Sequence, residues 1–319
     1  MGWDLTAAES KDDYLTENDL WRHTQHFLMD ASHTTSYKHV LMKALLESIA
    51  EITNSCELSF VQISRHVTKI YWNLVVTNNI RQLNSNSTIS SVEKILYSFQ
   101  EKYSIPSEWN FDQLIDKQQE ELIKHINKVY KQYVFGSFYK SFNGSIFSFN
   151  KNEEWVRLNP PYVIFFERYK RILMNATNYQ LALFLEKHNS HSVMTNLLRK
   201  LEFLSARQSL QEFKFLLQKQ GTETCFYCHQ GLVKSHVDHF IPWSYMQNDV
   251  LWNFVLACPR CNTSKGNKLA DNNFLSRLID RNNQWQDLMV TSNYSEEKLH
   301  RLYHFAESNG FATDWRPVN

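Results

Sequence analysis

The stretch HVDHFIP, residues 236–242, places His236, Asp238 and His239 within four positions of one another. It lies just downstream of CFYC (225–228) and upstream of CPRC (258–261), with 29 residues between the two cysteine pairs. Zinc favours four thiolates in a tetrahedron, and each C-x-x-C turn presents two sulfurs to one ion. Cys225, Cys228, Cys258 and Cys261 are therefore expected to hold one structural Zn²⁺. Such a site is closed and cannot activate water, so its work is to fold the segment, at an apparent binding energy of roughly 10–16 kcal/mol. His229, directly after Cys228, is a competing ligand, but four thiolates already satisfy the ion.

Inside that frame, alternation along a strand at 234–238 would send Lys234, His236 and Asp238 to one face, with His239 at the strand's end and Pro242 stopping the pairing. Asn253 follows His239 by fourteen residues and Asn262 by nine more, with Lys265 three further on. A helix starting near Pro259 puts Asn262 and Lys265 on one face.

In this order, Asp238-His239, Asn253 and Asn262 between two C-x-x-C pairs resemble the HNH endonuclease family and its ββα-metal motif. The match covers about 50 residues. The RNA-guided CRISPR nucleases carry a similar His–Asn–Asn arrangement without the zinc frame. The third signature residue here is Asn262 rather than His, a variant many family members use. The resemblance implies phosphodiester hydrolysis, with His239 as general base, since histidine titrates near neutral pH. It implies Asp238 and Asn262 as oxygen ligands of one catalytic Mg²⁺ or Mn²⁺ that offsets charge on the phosphate and leaving oxygen. Asn253 is expected to hold the loop carrying the base, and Lys265 or Arg260 to contact phosphate. His236 shares a face with Asp238, so a phosphate or metal contact and a plain strand position are both open to it.

The elements that must position this segment are mostly helical. Tyr37, Val40, Leu41, Ala44, Leu45 and Ile49 recur at spacings of three and four, as do Phe60, Ile63, Val67, Ile70, Tyr71 and Leu74. Ser90 and Glu93 form a capping box before a third stripe, and Leu114, Leu122, Ile126, Val129 and Tyr130 make a fourth. SIFSF and EWVRL around Asn150-Lys151-Asn152 predict a β-hairpin. Pro160-Pro161 opens a helix to about residue 188, and another is expected over 191–219, ending at Gly221. The fold expected is mainly α: a helical region with a short hairpin at 1–220, a ββα-metal domain at 221–270 and a helical extension at 271–319. Histidines in the stripes, His39 and His66, are expected to be structural.

Composition bounds the rest. With 43% apolar and 21% charged residues in 319, the chain can build sizeable cores. The acidic start MGWDLTAAESKDD lacks a signal-peptide pattern, and no apolar run is long enough to span a membrane, so a cytoplasmic protein is expected. Gly2 and Thr6 meet a short acylation pattern of a kind that arises by chance. A net charge of +1 argues against a broad nucleic-acid-binding surface and for a local patch or a helping partner. One such track is Arg199, Lys200, Arg207, Lys214 and Lys219, although a solvated helix face is the better explanation of it.

Two functional classes follow: a metal-dependent endonuclease, with DNA the expected substrate, and a zinc-held module that binds nucleic acid or a protein without catalysis. In layout the chain is similar to standalone prokaryotic HNH proteins of restriction and phage defence. The 220 residues preceding the motif imply control by a partner or by self-assembly.

Overall fold

A computed structural model describes residues 4–317 except 12–13, 31–32, 84–87, 191–193, 203–209 and 291. Gly2 and Arg207 lie outside the described residues. The chain divides into two compact units, one of 1–48, 55–166 and 172–206, the other of 49–54, 167–171 and 207–319. Contacts thus divide the C-terminal part at 206/207 and set 271–319 in the same unit as the cysteine-framed segment. Both units are dominated by helix.

The first unit runs β1 (Ala7–Ala8), α1 (Glu17–Gln25), α2 (Tyr37–Glu47), β2 (Glu57–Ser59), α3 (Phe60–Tyr71), α4 (Ser91–Tyr103), α5 (Asp116–Tyr133), α6 (Phe135–Ser141), β3 (Phe147–Asn150), β4 (Trp155–Leu158), α7 (Pro160–Glu186) and α8 (Leu197–Glu202). Capping boxes start α1, α3 and α4 through Thr16/Asp19, Ser59/Gln62 and Ser90/Glu93. Each satisfies two backbone N–H groups that the first helical turn leaves unpaired. The stripes become the core: Val40, Leu41, Ile63, Val67, Leu122 and Ile126 are all buried, and Phe60 stacks on Phe135 at 4.0 Å.

The hairpin β3–β4 forms where the sequence placed it, pairing Phe149 with Val156 and Phe147 with Leu158. Strands β1 and β2 extend it to an antiparallel sheet of order β1-β3-β4-β2. Neither was foreseen, because two- and three-residue strands carry no readable period.

Deep in this unit lies a charged triad. Lys43 Nζ is 3.2 Å from Glu47, and His66 Nδ1 is 3.4 Å from the same carboxylate. Burial alone would raise the Glu47 carboxyl, but the Lys43 ammonium and His66 hold it down to about 2. His39 and His33 have ring centroids 4.2 Å apart. Burial pushes them down to about 3 and about 4, helped by neighbouring positive charge.

The second unit contains α9 (Gln211–Lys219), β5 (His236–His239), α10 (Trp243–Met246), β6 (Phe254–Ala257), α11 (Pro259–Lys265), α12 (Asn272–Gln284), α13 (Gln286–Val290) and α14 (Glu296–Ser308). The helix expected over 191–219 is described as two pieces, α8 and α9; residues 191–193 and 203–209 fall outside the description. Gly221, at φ +77°, closes α9 as the left-handed residue expected there. Polar anchors bind two short pieces of earlier chain into this unit. Lys298 donates to the carbonyls of Ala50 (2.6 Å) and Ile52 (2.8 Å), and Lys170 to that of Met246 (2.7 Å). Arg301 pairs with Glu167 at 2.6 Å. Among the described residues, no helix is long and apolar enough to cross a membrane.

Candidate active site

The four cysteine sulfurs converge, all lying within 4.8 Å of one another. A tetrahedron with Zn–S arms of about 2.3 Å has edges of about 3.8 Å, and Cys228 Sγ and Cys258 Sγ are 3.9 Å apart. Backbone N–H groups already point at the sulfurs: Cys258 N to Cys225 Sγ at 3.3 Å, and Cys261 N to Cys258 Sγ at 3.5 Å. Burial raises the Cys258 thiol, but the Cys261 N–H and neighbouring thiols outweigh it and bring it below the ordinary range; Cys261, with burial unopposed, moves up. Distances and donor set fit one tetrahedral zinc. The turn 225–229 is closed by His229 at φ +60°, and His229 is exposed, outside the cluster.

The cluster fastens two loops that deliver the hairpin and α11. Strand β5 pairs antiparallel with β6, His236 opposite Ala257, Val237 opposite Leu256, Asp238 opposite Val255 and His239 opposite Phe254. The strand is two residues shorter at its start than 234–238 and includes His239. Cys258 caps α11 and Pro259 opens it, a position where the missing N–H costs nothing.

Register between helix and strand then assembles the polar residues. Asn262 and Lys265, three apart on one face of α11, meet His236 and Asp238, two apart on one face of β5. Asn262 Nδ2 lies 3.1 Å from His236 Nδ1, and Lys265 Nζ lies 3.1 Å from Asp238 Oδ2. The same ammonium donates to the His239 carbonyl at 2.8 Å, and Tyr227, from between the first two cysteines, donates to Asp238 Oδ2 at 2.5 Å. Lys265 is fully buried. An ammonium spent on Asp238 and a carbonyl is not placed to meet phosphate, so this residue serves as a buried anchor instead. Burial drives Lys265 below its ordinary range, with Asp238 opposing. The Tyr227 phenol is held well above its own, by burial and then by the Asp238 charge.

His239 points to the opposite face of β5, its ring 4.6 Å from Phe254. Its Nε2 lies 2.7 Å from Asp249 Oδ1. With Asp249 ionised, this bond puts the proton on Nε2 and leaves Nδ1 as the lone-pair nitrogen. Asn253 is fully buried and grips the backbone after β5, its amide donating to the Ile241 carbonyl (2.9 Å) and its carbonyl accepting from the Ile241 N–H (2.8 Å). Arg260 is exposed at the start of α11. Asp238 and Asn262 share no hydrogen bond, but Asp238 Oδ1 and Asn262 Oδ1 take part in none with any described residue. Two hard oxygen donors of the kind Mg²⁺ or Mn²⁺ takes are thus present. The Lys265 charge beside them opposes a cation.

Asp249 and Tyr227 were not picked out in the sequence. Tyr227 was legible only as a hydroxyl-bearing residue between two zinc ligands, and nothing in the spacing marks Asp249.

Residues 225–268 match the family model for HNH endonuclease, so this segment carries an HNH domain, framed by four cysteines. No curated protein and no solved structure matches the chain.

Proposed function

We propose that the chain is a metal-dependent endonuclease that hydrolyses phosphodiester bonds of nucleic acid, DNA in the first instance. The observation that carries this is the Asp249 carboxylate 2.7 Å from His239 Nε2. A histidine held by a carboxylate on one ring nitrogen is oriented to take a proton at the other. Asn253, through Ile241, fixes the loop that follows the base. Asp238 and Asn262 are the residues to hold a divalent ion, which when bound supplies positive charge against the phosphate. Lys265 and Tyr227 orient Asp238, and Arg260, exposed at the head of α11, is the residue proposed to contact phosphate. His236 orients Asn262.

His239 and Asp238 are only 7% and 6% exposed. This favours a nuclease opened by a partner or by self-assembly rather than one constantly active. A role in restriction or anti-phage defence agrees with such control. The alternative, a zinc-held binding module without catalysis, draws on the same burial and on the Lys265–Asp238 pair. Asp249→Asn separates the two. It keeps the shape but removes the charge that sets the tautomer, so cleavage is expected to fall by at least about 10²-fold with zinc content unchanged. Unchanged cleavage would remove Asp249 and His239 from the chemistry.

A further inference from the structure

Behind the HNH hairpin, the second unit has a recess of about 280 Å³ between the 222–226 strap and α12. Its lining includes two guanidinium groups, Arg277 and Arg281, and two aromatic rings, Phe226 and Trp285. Arg277 lies over Phe226 (4.9 Å) and Phe274 (5.5 Å), and Arg281 over Trp285 (4.8 Å). Spacings of four along α12 bring Arg277, Arg281 and Trp285 to one side. The two arginines differ. Arg281 is spent on the Phe254 carbonyl and Asn282, and burial lowers it to about 9, which leaves it charged at neutral pH. Arg277 makes no hydrogen bond and no ion pair with any described residue, although the residue is half-buried. A guanidinium over aromatic rings and without a carboxylate or carbonyl acceptor has donors to spare for phosphate.

Position ties the recess to the reaction. Leu256 lines it and stands opposite Val237, while Phe254, two residues back, stands opposite His239. Directly opposed side chains share a face, so Leu256 is on the His239 face of the hairpin. Two residues along a strand span about 7 Å, roughly two nucleotide rises of 3.4 Å.

We propose that the recess receives one nucleotide of the substrate strand, its phosphate on Arg277 and its base against the ring and guanidinium walls, with Gln284 and Asp280 at the rim offering an amide and a carboxylate to the base edge. Aromatic faces and guanidinium planes are the usual seats for an unstacked base. The inference rests on the nuclease reading. It adds a contact from α12, outside the HNH match.

The test is fluorescence anisotropy of labelled single- and double-stranded DNA and RNA oligonucleotides, titrated with the full chain carrying His239→Ala in Ca²⁺ buffer. Arg277→Gln should weaken binding about 10-fold and lower the salt dependence by about one counterion, with Arg277→Lys recovering part. Exposed Gln284→Glu, which adds charge without disturbing the core, should weaken it about 3-fold, and it stands alone if Arg277→Gln does not fold. Unchanged affinity in the variants while the parent binds would overturn the recess and leave the nuclease reading standing. A parent that binds none of the oligonucleotides, together with wild type that cleaves none, would overturn both.

Discussion

Lys43 in the helical unit and Lys265 in the HNH unit are both buried ammonium groups beside a carboxylate, at 3.2 and 3.1 Å. They are buried for different reasons. Lys43 and Glu47 sit one turn apart on α2, so the helix alone presents the pair, and the surrounding core closes over it. Lys265 and Asp238 lie 27 residues apart on different elements, and they meet only if α11 docks on β5. That docking depends on the cysteine cluster. The first pair is a feature of a core that the chain packs unaided; the second reports that a site has been assembled. Buried charge is therefore a weak guide to function by itself, and its dependence on non-local assembly is the better one.

The largest way to break the comparison is Cys258→Ser. Losing a structural zinc removes on the order of 10 kcal/mol, so hydrogen exchange should show lost protection across 225–268 while 37–47 stays protected. Equal loss in both stretches, or in neither, would refute the assigned division of labour.

A sharper contrast comes from replacing both partners. Lys43→Met with Glu47→Leu should be near neutral, or stabilising by about 1–4 kcal/mol, and should leave cleavage unchanged. Lys265→Met with Asp238→Leu should abolish cleavage whatever the stability. Single Lys265→Ala leaves Asp238 without its cation and should cost about 3–5 kcal/mol, read from denaturant melts.

The smallest effect is in pH. His33 and His39 have folded values of about 4 and about 3, below the ordinary 6.5. The unfolded chain then binds more protons, so the stability gained by keeping both neutral is complete above about 6.5 and is lost as pH falls towards 4 and 3. Glu47, at about 2, adds a loss below its ordinary 4.5. Acid exchange should loosen 37–47 from about pH 6 downward, and His39→Leu should flatten that slope; an unchanged slope would contradict it.

The parts legible in the sequence are those with a period or a fixed offset. Leu41 and Ile63 lie in stripes that became core, Ser90/Glu93 caps α4, and the four cysteines converge as their spacing required. The i, i+3 relation of Asn262 and Lys265 was legible as well. What they would meet was not, because it depends on the register of α11 against β5. Lys265 was expected to contact phosphate because sequence carries no burial and does not reveal its pairing with Asp238. Asp249 joins His239 through the loop fold after β5, which no local pattern encodes.

The most direct test of the central claim is plasmid cleavage by purified wild type and His239→Ala, each with Mg²⁺, with Mn²⁺ and with EDTA. The account predicts metal-dependent nicking by wild type, none with His239→Ala, and equal zinc content and melting behaviour in the two. Equal cleavage by both proteins, or cleavage that persists in EDTA, would contradict it.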